Sequence, residues 1–295
     1  MREGRRPGSS PAADDGFDDG AGARIMVTLV MPRLLSFEGG TGRRAASVTE
    51  RNISTLRSAY WVVMVSGFLE PVLYLFSIGV GVGALIGDIP LPGGEVVGYA
   101  EFVAPAMLAA SAMTGALAET TFNFFGKMKF VRLYEGILAT PVRPIEIALG
   151  ELAWAMVRGV IYSAAFVVIM TLMGLTTWSR AAAMLPATLL VGLAFGALGM
   201  AVATIIRSWQ DFDLIAAGQF ALFLFSGTFV PPTAYPAAVR WLIEATPLYR
   251  SVDLIRALST GTTGWLQLVD VAYLLALMAL GLTVAGRRMA KQLCK

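Results

Sequence analysis

The stretch Leu152–Leu175, LAWAMVRGVIYSAAFVVIMTLMGL, runs 24 residues with a single charge, Arg158, and no proline. A helix rising ~1.5 Å per residue carries that length across a ~30 Å hydrocarbon layer. Working outward, comparable apolar runs occupy about Ala59–Ile86, Phe102–Thr121, Ala181–Ile206, Leu214–Val230 and Leu268–Gly286. The fifth run along the chain, Leu214–Val230, is the shortest. Of the 295 residues, 56% are hydrophobic and 15% charged, where soluble domains sit near ~45–50% and ~25%. The expected fold is all-α and integral to the membrane, with six transmembrane helices over residues 59–286.

Composition excludes several chemistries. Histidine is absent and the one cysteine is Cys294, so a His-based catalytic centre, a Cys/His metal site and an internal disulfide are ruled out. A net charge of +3 on so apolar a chain argues against a nucleic-acid partner.

Orientation follows from Lys and Arg near the span ends. One side carries Arg43, Arg44, Arg51 and Arg57, then Lys127, Lys129, Arg132 and Arg143, then Arg207, then Arg287, Arg288, Lys291 and Lys295. The other carries Arg180, Arg240, Arg250 and Arg256, and its Gly87–Glu101 loop has no basic residue. Thirteen against four places both termini in the cytoplasm. Residues 1–23, rich in Gly, Pro, Asp and Arg, read as a disordered cytoplasmic tail rather than a signal peptide. Residues 24–58 read as an amphipathic interfacial segment, with Val48, Ile53 and Leu56 near helical spacing among arginines. Residues 287–295 form a basic cytoplasmic tail.

Two loops are long. In Phe122–Glu151, Pro144 stands where a helix starts, so a short cytoplasmic helix is expected from there. In Pro231–Gln267, the pieces Ala237–Ala245 and Leu248–Leu258 are too short to span and are split at Thr246-Pro247. They read as short re-entrant helices ahead of the last span, an external helical hairpin being the alternative.

Small residues recur at helical spacing. Gly79, Gly83 and Gly87 share one face of the first span, and Gly192 and Gly196, with Gly199 beyond, share one of the fourth; close helix packing is expected at both. The Gly79–Gly83 run is not a dinucleotide loop, since it closes a span rather than joining strand to helix. Gly126-Lys127 lacks the upstream glycine of a phosphate loop. Three charges fall within or just inside spans: Glu70, Glu119 and Arg158. Arg158 matches Glu119 in depth and is expected to pair with it. Glu70, near the midplane beside Pro71, is expected to face the interior or a subunit interface.

The segments around Glu50-Arg51-Asn52, FLEPVLYL (68–75) and Gly79–Gly83 resemble the type-2 ATP-binding-cassette (ABC) exporter permeases. The likeness is strongest to the branch holding the nodulation-factor, or lipo-chitooligosaccharide, export permease. It continues through MKFVRLYEGILATPVRPIEIALGELAWA (128–155), FVPPTAYP (229–236) and TPLYRSVDLIRAL (246–258). It departs at Arg250, where that branch often carries His. The resemblance implies a permease that dimerises with a second copy or a paralogue, sits in a bacterial-type inner membrane and binds separate ATPase subunits, which hold the ATP and Mg. It implies a coupling helix carrying Arg143, Pro144, Ile145 and Glu146, and an outer gate carrying Pro231, Pro232, Pro247, Tyr249, Asp253 and Arg256. The function expected on this basis is ATP-driven export of an amphipathic substrate such as a drug, lipid, glycolipid or saccharide conjugate. The chain itself is then no enzyme and needs no cofactor. Two alternatives stay open: a proton-coupled secondary transporter using Glu70, and a structural membrane subunit with no pathway.

Overall fold

The computed structural model describes residues 69, 73, 75–90, 96–130, 133–138 and 144–293. The tail, the interfacial segment, most of the first expected span, Glu70 and Arg143 lie outside the described residues. A π-helical stretch, Ser77–Val82, leads into helix α1 (Gly83–Ile86), and strands β1 (Asp88–Pro90) and β2 (Val96–Gly98) follow. Helix α2 (Tyr99–Leu117) continues through a π-helical turn, Ala118–Asn123, into α3 (Phe124–Lys129). Then come α4 (Leu133–Leu138), α5 (Pro144–Leu172), α6 (Trp178–Ala203), α7 (Asp211–Leu224), a 3-10 turn (Pro232–Ala234), α8 (Ala237–Glu244), α9 (Pro247–Thr260) and α10 (Trp265–Leu293).

Four described helices are long and apolar enough to cross a membrane: Tyr99–Lys129, Pro144–Leu172, Trp178–Ala203 and Trp265–Lys291. They coincide with the second, third, fourth and sixth expected spans. The fifth falls short as a helix. Its 14 residues reach only ~21 Å, because the chain leaves helical geometry after Leu224 and Gly227 takes a φ of 68°.

Helix α6 sits at the centre of the bundle. Val191, Ala194, Phe195, Ala197 and Met200 on it are fully buried, and α2, α5, α9 and α10 all pack around it. Lipid tails are as apolar as these side chains, so close packing rather than water exclusion holds such helices together. The glycines of α6 meet that demand. A Cβ at Gly192 would stand 3.1 Å from Met156, and one at Gly196 would stand 2.6 Å from Leu152. At Gly199 it would collide with the Thr120 hydroxyl. On the opposite side, a Cβ at Gly281 of α10 would lie 2.6 Å from the backbone carbon of Ala197.

Three expectations need correction. The short helix expected in the Phe122–Glu151 loop starts at Pro144 but is not separate. No break divides it from the third span, and α5 runs 29 residues without interruption. Gly87 does not pack on a helix face. It caps α1 with φ 75° and open space around its Cβ position, a conformation that favours glycine because it lacks a Cβ. The segment after it departs from the all-α expectation, since β1 and β2 pair antiparallel with Asp88 opposite Gly98 and Pro90 opposite Val96. Ile89, the one inward residue of β1, is buried. The all-α expectation thus holds apart from this hairpin.

Candidate functional site

The charged residues inside the bundle are arranged as rungs between two antiparallel helical rods. Arg158 of α5 donates through Nη1 to Glu119 Oε1. The other Glu119 oxygen accepts from Asn123 Nδ2 at 3.0 Å. Arg158 Nη2 reaches the Tyr162 hydroxyl at 3.3 Å, and the guanidinium lies 5.8 Å from that ring. A second rung, nearer the connection between the two rods, joins Lys127 Nζ to Glu151 Oε2 at 2.6 Å. Seven residues separate the charges on α5 and eight separate them on the other rod, so both rungs stand at matched heights.

Glu119 is carried by the π-helical turn. Such turns insert an extra residue per turn and often mark functional positions. The turn also frees backbone for side chains to bond: Thr120 and Thr121 hydroxyls donate to the carbonyls of Ala116 and Leu117 at 2.7 and 2.6 Å. Their exposed faces are covered by α6 around Gly196 and Gly199.

At the start of α5, Ile145 packs against Gly286 of α10, where a Cβ would stand 3.0 Å from its Cδ1. Glu146 is buried, at 1% exposure, so its side chain is turned into the chain rather than to a free surface.

At the opposite end, three of the expected gate residues converge on Gly227. Pro232 and Tyr249 stand 3.4 Å from its Cβ position, and Arg256 Nη2 donates to its carbonyl at 2.9 Å. Arg256 Nε donates to the Phe102 carbonyl at 3.2 Å, and its guanidinium lies 3.8 Å from the Phe102 ring. Pro247 occupies the first turn of α9, and the Thr246 side chain caps it by accepting from the Tyr249 N–H. Pro231 precedes the 3-10 turn and Asp253 is half-buried on α9. Arg250 binds Asp270 of α10 at 3.1 Å, with Asp270 fully buried. The Tyr273 hydroxyl holds the α8–α9 junction through Ala245 O at 3.0 Å.

Helix α7 runs beside α2 in the opposite direction. At one end Phe212 meets Phe122 edge-on at 5.4 Å, within a cluster that includes Phe125, Phe130 and Trp209. Midway, Gln219 Nε2 donates to Thr114 Oγ1 at 2.7 Å. At the far end Arg256 ties Gly227 to Phe102. No residue of α7 is buried, and Leu214 and Phe220 are 76% and 61% exposed.

The family model described as ABC-2 type transporter matches residues 45–259. The chain belongs to the ABC-2 type transporter family. Among similar ABC-2-type chains are proteins named Nodulation protein J. The one from Rhizobium leguminosarum bv. trifolii is 35% identical over 216 residues, covering 73% of this chain and 80% of the relative. Those from R. leguminosarum bv. viciae and Rhizobium meliloti (strain 1021) are 32% and 31% identical, with coverage of 73% of this chain and 82% and 81% of theirs. The ABC-2 match takes in both rungs and the α8–α9 hairpin, and stops before α10.

Sequence reasoning named Glu119 and Arg158, which the structure pairs, and Gly192 and Gly196, which it packs. It passed over Lys127–Glu151, counting Lys127 only as a loop charge, although Glu151 and Arg158 are seven apart on one helical face. It also passed over Gly227 and Gly281. Gly227 lies between Ser226 and Thr228 and Gly281 between Leu280 and Leu282, and nothing local distinguishes either from other glycines.

Proposed function

We propose that this chain is the transmembrane subunit of an ABC exporter, driven by ATP hydrolysed on a separate ATPase subunit that binds at the cytoplasmic ends of the spans. The observation that supports this best is one rod held at both ends. Tyr99–Lys129, 31 residues and so ~45 Å long, is bonded near one end to α5 through Glu119–Arg158 and Lys127–Glu151. Near the other it is bonded to the α8–α9 hairpin through Phe102 and Arg256. A displacement at the start of α5, where Arg143, Pro144, Ile145 and Glu146 form the coupling segment, is thereby carried to the outer hairpin without a flexible joint. Packed helices of this kind switch between discrete arrangements rather than bending continuously.

The six-span topology completes the reading. Helix α7 with the turns after it makes the fifth crossing, since α7 meets the Tyr99–Lys129 rod at Phe122 and Thr114 and Arg256 ties the following Gly227 to Phe102. The first crossing is supplied by the chain ahead of β1. Both termini are cytoplasmic, and the membrane is a bacterial inner membrane. The unburied apolar surface of α7 faces a second permease subunit, and the substrate moves outward along that interface. The substrate is amphipathic, in keeping with the relatives named for nodulation and with a pathway walled by apolar side chains.

The test is assembly and stimulation. The chain is co-expressed with a candidate ABC ATPase subunit from the same organism, purified as a complex and reconstituted in liposomes. ATPase activity that rises on complex formation, and falls when Arg143 and Ile145 are replaced by Glu, supports the reading. An ATPase that neither copurifies nor responds sinks it.

A further inference from the structure

On the orientation proposed above, the outer end of the bundle holds a polar cavity of about 460 Å³. It opens between the N-terminus of α2, the loop after α5, the start of α6 and the end of α9, lined by Glu101, Thr176, Thr177, Arg180, Ser259 and Thr260 among others. We propose that this cavity binds the headgroup of a zwitterionic phospholipid of the outer leaflet, with a phosphate on Arg180 and a primary ammonium on Glu101.

Four observations converge. First, the cavity holds one cation and one anion. The Glu101 carboxylate has no hydrogen-bond or ion-pair partner among the described residues, whereas Glu119, Glu151 and Asp270 each meet a basic side chain. Second, Arg180 commits only Nη1, at 3.3 Å to the Ser259 carbonyl, and is otherwise exposed. Its remaining N–H groups stay available in the planar fork that suits a phosphate. Third, Gly261, with φ 84°, lies against this guanidinium, and a Cβ there would be 2.7 Å from Nη2. The side chain is therefore seated rather than free to swing over the surface. Fourth, the depth is right for a headgroup. The cavity lies at the ends of three long apolar helices, and Trp178 and Trp265, at the same ends, are 63% and 72% exposed. Exposed tryptophans at helix ends mark the membrane–water interface. Leu172, one turn before the cavity wall, is 72% exposed and offers apolar surface to the acyl chains.

An ammonium with N–H donors satisfies Glu101, which accepts only, while a quaternary choline offers no N–H and a glycerol headgroup no charge. Ethanolamine phospholipid is accordingly the preferred occupant, ahead of choline and glycerol phospholipids.

The experiment is lipid retention by the full chain, delipidated in detergent and supplied with equal amounts of phosphatidylethanolamine, phosphatidylcholine and phosphatidylglycerol, read by native mass spectrometry. Several-fold preferential retention of phosphatidylethanolamine is expected. Glu101→Gln should bring it level with phosphatidylglycerol, and Arg180→Gln should lower retention of both several-fold, with Arg180→Lys restoring part of it. Equal retention of the three lipids by the unaltered chain overturns the proposal, as does unchanged preference in both Gln variants. Soluble phosphoethanolamine bound as well as the lipid overturns the lipid assignment. Because binding is read on the chain alone, a failed ATPase assay leaves the result standing, and the reverse.

Discussion

Arg256 stacks its guanidinium 3.8 Å from the Phe102 ring while donating Nε to the carbonyl of that same residue. One side chain thus fixes α9 against the start of α2. A desolvated cation–ring contact is worth roughly 2 kcal/mol, and hydrogen bonds made by a charged group roughly 1.5–3 kcal/mol each. Arg256→Gln keeps a donor but loses the fork and the ring contact. The expected outcome is a folded complex, destabilised by about 2–4 kcal/mol, whose ATPase activity persists while transport falls sharply. Parallel measurement of ATP turnover and vesicle uptake checks it; loss of both together points to a folding defect and removes the transmission role.

The members of the Glu119–Arg158 rung are 13% and 19% exposed, so both charges are largely withdrawn from solvent. Removing one partner strands the other charge in the bundle, at roughly 3–5 kcal/mol. Glu119→Arg and Arg158→Glu should each reduce the yield of folded protein strongly, and the double exchange should recover much of it. Fluorescence-detected size exclusion of the four variants reads this directly. A double exchange no better than either single change would mean the two charges do not depend on each other.

Asp211 lies at the head of α7, where Oδ2 accepts the backbone N–H groups of Arg207 at 2.8 Å and Ser208 at 3.1 Å. Those two bonds hold its carboxyl below the ordinary value of 3.8. A depressed folded-state pKa means a contribution that is present above the unfolded pKa and vanishes as pH falls through the folded one. Asp211→Ala should therefore lower the melting temperature at pH 7, and the gap from the unaltered protein should close below about pH 4. A gap that is constant with pH would assign the effect to packing instead.

The parts legible in the sequence were those written in local pattern. Long apolar runs gave the four crossings, Pro144 marked the start of α5, and Thr246-Pro247 marked the break between α8 and α9, because proline and hydroxyl caps act through their own backbone. Arg158 and Glu119 could be matched by depth, since charge in an apolar run demands a partner. What was hidden depends on partners distant in sequence. The π-helical turn at Ala118–Asn123 is stabilised by α6 packing against Thr120 and Thr121, and no residue in the turn announces it. The continuity of α5 escaped because polar residues near its start look like the end of a helix, although Glu146 and Glu151 are buried against neighbouring elements. Gly227 matters through Arg256, 29 residues away.

Gly281 and Gly218 separate packing from mere smallness. A Cβ at Gly281 would stand 2.6 and 2.7 Å from the Ala197 carbon and oxygen, which are backbone and cannot yield without moving α6. At Gly218, on α7, the same atom meets nothing within 4 Å. Gly281→Ala should accordingly destabilise the protein by about 1–3 kcal/mol, the usual range for overpacking. Gly218→Ala should be neutral or stabilising by up to roughly 1 kcal/mol in the isolated chain, as expected when glycine leaves a helix interior. Bulk tells further on the second position. If α7 meets a second permease subunit, Gly218→Trp should leave the monomer folded and weaken dimerisation. Melting temperature and multi-angle light scattering on the same preparations supply both readings. A stable Gly281→Ala variant would show that α6 and α10 slide apart freely, and an undiminished dimer with Gly218→Trp would place the subunit contact away from that face of α7.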